Sequence, residues 1–338
     1  MNEFFRTIRS YLTEYLPNQK CYSDNTVRSY KQALNLFVRY LREVQCLPLK
    51  QIEFTTINRE VVLGFLDWLE QERRCSGSSR NHRLMVLRAF LSYASGLDCT
   101  HVTLYLEISK VPVKKEPGKV VEFLTESALE ALLAQPDPKN RIALRNRFFM
   151  ILMYDTAARC SELLNMKIRD LRLDTKHPIA YLHGKRDKTR TVPLLEKTVA
   201  HCRKYLQRFH AGAPTNSDAY LFYTTSHGNH HPMSADTPAD FMEQYCVSAR
   251  QTCPEMPTHL HPHMLRHTRA MHLYRQGMPM VLLSEYLGHT NVKTTKIYAH
   301  ADTEMKRAAI KKTNPGADVP LPVWEGNEEM ILQLYGLI

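Results

Sequence analysis

The sequence lacks the features that mark membrane, secreted and zinc-ribbon proteins. No run of about 18 apolar residues is present, so no membrane-spanning helix is expected. The N-terminus, from Met1 to Arg6, has no apolar stretch of the kind found in signal peptides. The 8 cysteines include no Cys-x-x-Cys pair, and without a secretion signal they are expected to be reduced thiols. These absences favour a cytoplasmic protein.

Internal repeats and low-complexity tracts are absent as well. The 338 residues exceed what one hydrophobic core usually organises, and 43% of them are hydrophobic. Two folded domains are therefore expected.

An excess of positive charge is spread over the whole chain. The formal net charge is +11. Residues 1–115 hold 17 Lys and Arg against 11 Asp and Glu, so about half of the excess lies there and the other half in residues 116–338. A basic surface in both parts favours a polyanionic partner such as nucleic acid.

Residues 1–100 are predicted to form a helical domain. Between residues 24 and 44, apolar side chains recur at steps of three and four, which indicates one buried face of a helix. Similar patterns run over residues 58–73 and from Ser79 onward. We expect basic residues here and in the following linker to contact nucleic-acid phosphates, with a merely solvated surface as the alternative. These residues are Arg28, Lys31, Arg80, Arg83, Arg88, Lys114 and Lys115.

The rest of the chain divides into a linker, a second domain and a tail. Residues 101–123 contain a Pro-, Gly- and Lys-rich stretch without helical period and are predicted to be the linker. The second domain spans residues 124–314, and the tail of residues 315–338 ends in an apolar segment that could form a helix. Inside the second domain, two strands form a predicted hairpin, at 179–183 and 189–193. Helices are predicted at about 140–154, 161–167, 195–209, 236–250, 262–276, 280–287 and 291–299.

A basic constellation ending in a tyrosine is spread over the second domain. Arginine and lysine bind anions, histidine exchanges protons, and a phenol can attack a bound anion. No carboxylate pair or metal-ligand spacing accompanies these residues. The pattern predicts phosphoryl transfer without a metal ion. Its members are Arg159, Lys185, His263, Arg266, His289 and Tyr298.

Four segments around these residues resemble the sequence boxes of the tyrosine recombinases, the phage-integrase and Xer-type family. They are 156–164, 184–193, 263–268 and 287–298, and they occur in the order of the family. One departure is Ala157, where the family usually has glycine. The resemblance implies a mainly α fold with a small β-hairpin or sheet. It also implies an N-terminal helical, SAM-like core-binding domain followed by a catalytic domain.

The resemblance also implies roles for the residues. Arg159 and Arg266 would neutralise a DNA phosphate, and His263 and His289 would hydrogen bond to its oxygens. His263 is also a candidate acceptor of the tyrosine proton. Tyr298 would be the nucleophile, so that a 3′-phosphotyrosyl enzyme forms.

Two further roles complete this implied mechanism. Lys185 would protonate the departing 5′ oxygen, and Glu162 would orient Arg159. Neither ATP nor any other cofactor nor a metal ion is expected, because the covalent link conserves the energy of the broken bond.

The expected function is site-specific recombination, as an integrase, transposase or resolvase of a mobile element. The implied partner is double-stranded DNA, bound by a homotetramer in the nucleoid. Related recombinases and accessory DNA-bending proteins are further partners that the family allows. The alternatives are a type IB topoisomerase-like nicking and closing enzyme, and a DNA-binding regulator without catalysis.

Several other histidines raise the alternative of a metal site. His227, His230 and His231 cluster in a predicted loop, and His259 and His261 alternate with His263, but neither group has a zinc pattern. His267 and His272 are interpreted as packing or structural polar residues. Cys160, beside Arg159, is interpreted as an inert thiol.

Overall fold

The structure is a computed structural model that describes residues 2–116, 121–184, 188–289, 291–301 and 328–337. The chain divides into two compact units, Met1–Lys119 and Val120–Ile338. Each has its own hydrophobic core.

The first unit consists of helices. Helix α1 (Glu3–Ser10) runs into a π-helical segment (Tyr11–Gln19), and α2 (Asp24–Glu43), α3 (Arg59–Gln71) and α4 (Gly77–Leu97) follow. In the core, Phe37 of α2 meets Phe65 of α3 edge to face, with 5.1 Å between ring centroids. The predicted helices of this region are therefore observed, with their apolar faces turned to one core.

A fifth helix lies where the sequence predicts a linker. Helix α5 (Val102–Ser109) buries Ile108, and Val111 after it is buried in the same core. Arg88 of α4 donates to the backbone carbonyls of Ile108 and Val111. Eight residues give too few turns for a clear apolar period, and the neighbouring Pro- and Lys-rich stretch dominates the pattern. The predicted linker thus includes a packed helix of the first unit.

The second unit has a helical framework that begins with α6 (Glu126–Ala134), α7 (Arg141–Thr156) and α8 (Cys160–Leu164). Helix α7 is central, because its Phe148 and Phe149 pack against Tyr205 and Phe222. The later helices are α9 (Glu196–Phe209), α10 (Asp236–Ala249), α11 (Pro262–Arg275), α12 (Met280–Leu287) and α13 (Lys296–Ala301). A last helix, α14 (Glu328–Leu334), falls in the predicted tail.

A three-stranded antiparallel sheet lies between α8 and α9, in the strand order β1–β2–β3. Strands β2 (Ile179–His183) and β3 (Thr189–Pro193) match the predicted hairpin, with Tyr181 opposite Thr191. The edge strand β1 (Leu171–Arg172) was not predicted, because two residues carry no alternation to recognise.

The predicted histidine loop is instead a second hairpin. Strands β4 (Tyr223–Ser226) and β5 (Asn229–Pro232) pair, and His230 and His231 belong to β5. His227 and Gly228 form the turn, both with positive φ (49° and 78°), as a two-residue hairpin turn requires. Histidine, asparagine and proline have low strand propensity, which hid this hairpin in the sequence.

The predicted fold class is confirmed: the chain is mainly α with small antiparallel sheets. Among the described residues, no helix combines the length and apolar content that crossing a membrane would need.

Candidate active site

The site begins where α7 ends and α8 starts. Ala157 has the left-handed conformation (φ 47°), which ends α7 and turns the chain toward Arg159. Arg159 then precedes α8, and its backbone N–H donates to Glu162 Oε2 at 2.8 Å. Its Nη1 donates to Glu162 Oε1 at 2.7 Å. Glu162 therefore fixes both the start of α8 and the guanidinium group of Arg159.

Glu162 also binds a second arginine, Arg190 of β3. Nη1 and Nη2 of Arg190 each donate to one carboxylate oxygen, both at 2.9 Å. Burial alone would raise the pKa of Glu162, but the hydrogen bonds and charges of Arg190 and Arg159 outweigh it and hold this pKa below its usual range. The carboxylate is thus ionised, and two cations face one anion.

Arg266 of α11 is buried and donates to two backbone carbonyls. Its Nη1 reaches Ala157 O and its Nη2 reaches Leu287 O, both at 2.6 Å. Burial, followed by the charges of Arg159 and Arg190, lowers the pKa of Arg266 to about 10. The group stays charged at neutral pH. Its lowered pKa reflects burial first and then the neighbouring positive charges, whose effect a bound anion would offset.

His289 lies where the chain leaves α12. Gly288 ends that helix with a positive φ of 63°, and its carbonyl accepts from Arg159 Nη2 at 3.3 Å. Nδ1 of His289 pairs with Thr295 Oγ1 at 2.9 Å. Burial, Arg266, Arg159 and Arg190 lower the pKa of His289 to about 4, so the ring is neutral at neutral pH.

Tyr298 of α13 lies next to this positive group but is shielded from solvent. Only 1% of its surface is exposed, and its ring packs in a cluster that includes Ala157, Met271 and Leu287. Its Oη lies 2.9 Å from Nδ1 of His267. Burial raises the pKa of Tyr298 to about 12, although the charge of Arg266 acts in the opposite direction.

The structure brings together most of the predicted site. Arg159 and Arg266 share the segment Leu287–His289 through their hydrogen bonds, and Glu162 lies behind Arg159. His263 is exposed at the start of α11, and desolvation, Arg266 and His261 lower its pKa. Lys185 lies outside the described residues. Tyr298 is close enough for the charge of Arg266 to lower its pKa, against the larger effect of burial, but its hydroxyl is turned to His267.

Two residues of the site were not found from the sequence. Arg190 lies in the quoted hairpin segment, but nothing in the pattern separates it from a solvated strand residue. His267 was interpreted as a packing or structural polar residue, and the structure pairs its ring with the phenol of Tyr298, a partner that the sequence did not indicate. Its position one turn after His263 on the same helix was the available signal. His272 does have the expected structural role, bonding Leu124 O at 3.0 Å.

The predicted phosphate contacts fall into two groups. Arg28, Lys31, Lys114 and Lys115 are exposed. Arg80 is instead buried beside Glu70, with 3.6 Å between Nε and the carboxylate, and Arg83 donates to Ser79 O. Arg88 donates to carbonyls as described above. The charges of these three arginines serve contacts inside the first unit, which an off-face position in a helical pattern does not reveal.

Comparison with known proteins assigns the chain to a family. The phage integrase family model matches residues 122–305, and the N-terminal SAM-like domain of phage integrases matches residues 8–96. The chain therefore belongs to the phage integrase family, the tyrosine recombinases. The predicted activity, a site-specific recombinase that exchanges DNA strands, is confirmed at this level and is favoured over a topoisomerase or a silent regulator.

Relatives and solved structures span most of the chain. The y4rC integrase/recombinase of Sinorhizobium fredii is 28% identical, covering 91% of each protein. The tyrosine recombinase XerC of Bacillus pumilus is 26% identical over 90% of this chain and 95% of its own. The Tn1549 transposon integrase has a similar fold, with a TM-score of 0.67 at 17% identity, over 89% of this chain and 97% of that one. The XerH recombinase also has a similar fold, with a TM-score of 0.63 at 21% identity, over 85% of this chain and 79% of that one.

Proposed function

We propose that this protein cuts and rejoins double-stranded DNA through a 3′-phosphotyrosyl bond to Tyr298, with the scissile phosphate held by Arg159, Arg266 and His289. One observation carries the proposal: two guanidinium groups and an imidazole meet at the segment Leu287–His289, nine residues before a tyrosine that packs against it. Such a group of fixed cations binds an anion and stabilises the charge that develops during phosphoryl transfer.

The charge arrangement supplies what a metal ion would otherwise provide. A phosphodiester is anionic, and attack on it concentrates further charge on the non-bridging oxygens. Arg159 and Arg266 are positioned before the substrate arrives, so little reorganisation is needed when that charge develops. We therefore expect cleavage in the absence of divalent cations and of ATP.

The chemical step can be written with its atoms in balance. Tyr298 Oη attacks phosphorus, the bond from phosphorus to the 5′ oxygen breaks, and the phenol proton passes to a base, for which we propose His263. Lys185 then protonates the departing 5′ oxygen. Attack by the 5′ hydroxyl of another strand reverses these events and joins DNA to a new partner. Before attack, Tyr298 must leave the apolar cluster that shields it.

Assembly on DNA extends the proposal to the whole chain. We divide it into a DNA core-binding domain (1–100), a linker (101–123) whose helix α5 packs on the core-binding domain, a catalytic domain (124–314) and a tail (315–338). Both domains bind one duplex, and four protomers act together in strand exchange. Helix α14 and the residues after it expose Leu332, Tyr335 and Leu337, and we propose that they dock on a neighbouring protomer. A mobile element in the cytoplasm, acting on the nucleoid, is the setting that fits this activity.

The test uses nicked DNA fragments from the region that flanks the gene, so that a cut cannot be reversed. Wild-type protein in EDTA should form a complex that resists denaturing electrophoresis. Tyr298→Phe should bind the same DNA with unchanged affinity and form no such complex, since only the hydroxyl is lost. Persistent covalent complexes in Tyr298→Phe would remove Tyr298 from the mechanism. A strict requirement for a divalent cation would count against the proposed charge arrangement.

A further inference from the structure

The phenol of Tyr298 is held by a contact that the proposed reaction does not use. Its Oη pairs with Nδ1 of His267 at 2.9 Å, and the ring is 1% exposed. In this position the hydroxyl is engaged with an imidazole and the ring is shielded from solvent, so we infer that the side chain must move before it can attack a phosphate of a bound duplex. The structure thus describes a resting state of the proposed nucleophile.

Helix α11 contributes to the proposed anion site and also contacts Tyr298, through residues on different faces. Successive helical residues point about 100° apart, so Arg266 and His267 face different neighbours. Arg266 donates to the carbonyls of Ala157 and Leu287, on the side of the proposed phosphate site. His267 faces α13 and the phenol, with 5.8 Å between the ring centroids of His267 and Tyr298. The same helix therefore builds the anion site and grips the tyrosine.

We propose that His267 is a positioning residue that holds Tyr298 inward and protonated until the DNA complex forms. This inference rests on the proposed function of Tyr298 as nucleophile. Release requires that the hydrogen bond breaks and that the ring leaves the apolar cluster of Ala157, Ala270, Met271, Leu283 and Leu287. Both changes oppose cleavage by a protomer that is not yet engaged on DNA.

The protonation states agree with a holding role and argue against proton abstraction in this arrangement. Burial, His263 and Arg266 lower the pKa of His267 to about 4. Burial raises the pKa of Tyr298 to about 12. While the two are paired, the proton stays on the phenol, so the hydroxyl is shielded and also in its less reactive form.

The first experiment measures access to Tyr298 directly, by nitration with tetranitromethane and mass spectrometry of the full-length protein. Trypsin cuts after Lys296 and Lys306 and releases a peptide, 297–306, in which Tyr298 is the one tyrosine. Exposed Tyr335 and buried Tyr205 are internal references for fast and slow nitration. In wild type, Tyr298 should react as slowly as Tyr205.

Three variants of α11 separate the hydrogen bond from general packing. His267→Leu keeps the bulk but leaves the phenol unpaired, and nitration of Tyr298 should rise roughly tenfold, as expected when a buried donor loses its partner. His267→Asn places a polar atom near the position of Nδ1 and should restore protection. His272→Leu is the matched control, because His272 is buried on the same helix but bonds Tyr154 and Leu124 instead. It should leave Tyr298 protected.

The second experiment measures the rate at which each variant forms the covalent complex with nicked DNA. His267→Leu should form the covalent complex several-fold faster than wild type at equal DNA affinity. Unchanged nitration in His267→Leu would overturn the proposal, and so would exposure in His272→Leu to the same extent. Increased nitration with slower capture would also overturn it, since His267 would then assist the chemistry. If no variant captures DNA, the nucleophile assignment fails, while nitration still decides whether His267 holds Tyr298.

Discussion

At the scale of single residues, Glu162 organises the site without being able to contact a phosphate itself. Its carboxylate is almost fully buried and binds Arg159 on one side and Arg190 on the other. Removing one partner of a buried ion pair typically costs about 3–5 kcal/mol, because a charge is left uncompensated. The position of Arg159 therefore depends on Arg190, a residue in another element.

A conservative change at Arg190 tests this dependence. Lysine keeps the charge but cannot provide two parallel hydrogen bonds to Glu162 together with the bond from Nε to Tyr286 O. For Arg190→Lys we expect the free energy of unfolding to fall by about 2 kcal/mol. Covalent capture of nicked DNA should fall roughly tenfold or more, with DNA affinity little changed.

The matched control is Arg203→Lys, because Arg203 pairs with Asp174 on an exposed surface at 3.4 Å. Such pairs contribute about 0–1 kcal/mol, so capture and stability should stay near wild type. If Arg190→Lys captures DNA as well as wild type, measured well below its melting temperature, then Arg159 does not depend on the contact between Arg190 of β3 and Glu162.

The sequence identified the residues with a chemical signature and also Glu162, which is only three positions from Arg159, but it missed two residues that act through contacts with distant segments. Arg159, Arg266, His289 and Tyr298 stand in boxes of recognisable order and spacing. Arg190 and His267 matter because of what they touch in three dimensions, namely Glu162 and Tyr298. A single sequence does not record such contacts between distant segments, so their roles became visible only in the structure.

At the scale of elements, the turn after α12 connects several parts of the site. Gly288 has a positive φ, its carbonyl accepts from Arg159, and its neighbours Leu287 and His289 contact Arg266 and Thr295. A methyl group at Gly288 would lie 3.0 Å from Cδ and Nη1 of Arg190, closer than carbon atoms normally pack. Arg190 cannot move freely, because it is tied to Glu162.

Gly288→Ala should therefore have two effects: strain in the backbone, and displacement of Arg190 from Glu162 by the added methyl group. Alanine in the left-handed region costs about 1 kcal/mol. Gly277→Ala is the matched control, since Gly277 also ends a helix with positive φ (92°) but has open space around the added methyl group. Both variants should lose similar stability in thermal unfolding. Only in Gly288→Ala should covalent capture of nicked DNA fall, by roughly tenfold. Equal capture by the two variants would mean that the contact with Arg190 is unimportant.

The predictability of each element followed the strength of its repeat pattern. Helix α2 has five buried residues at helical spacing over 20 residues, and the sequence placed it within a residue or two. The hairpin β2–β3 was found from flanking strands around a Gly-Lys turn. Helix α5, strand β1 and hairpin β4–β5 are short or rich in residues with weak propensity, so tertiary contacts decide their structure.

At the scale of the whole molecule, we expect the net charge of +11 to contribute much of the DNA affinity. Each phosphate that a cation neutralises releases counterions, which makes affinity fall with salt. Of the predicted contacts in the first unit, Arg28 and Lys31 are exposed on α2, whereas Arg88 is engaged with backbone carbonyls. Mutation of the two exposed residues should therefore change DNA affinity, whereas mutation of Arg88 should change the stability of the first unit.

The double change Arg28→Ala and Lys31→Ala should weaken DNA binding at every salt concentration tested. The slope of log affinity against log salt should fall by up to about 2, since two phosphate contacts are lost. Arg88→Gln is the comparison, because it should lower the stability of the first unit and leave the salt slope unchanged. Fluorescence anisotropy over a salt series measures both. An unchanged slope in the double variant would show that α2 does not face DNA.

We propose that Tyr298 makes the covalent bond to DNA beside the paired arginines. Digestion of the trapped complex with trypsin and nuclease, followed by mass spectrometry of the nucleotide adduct, tests this directly. We expect a nucleotide joined through its 3′ phosphate to Tyr298, within the peptide 297–306. An adduct on another residue, or one joined through a 5′ phosphate, would contradict it.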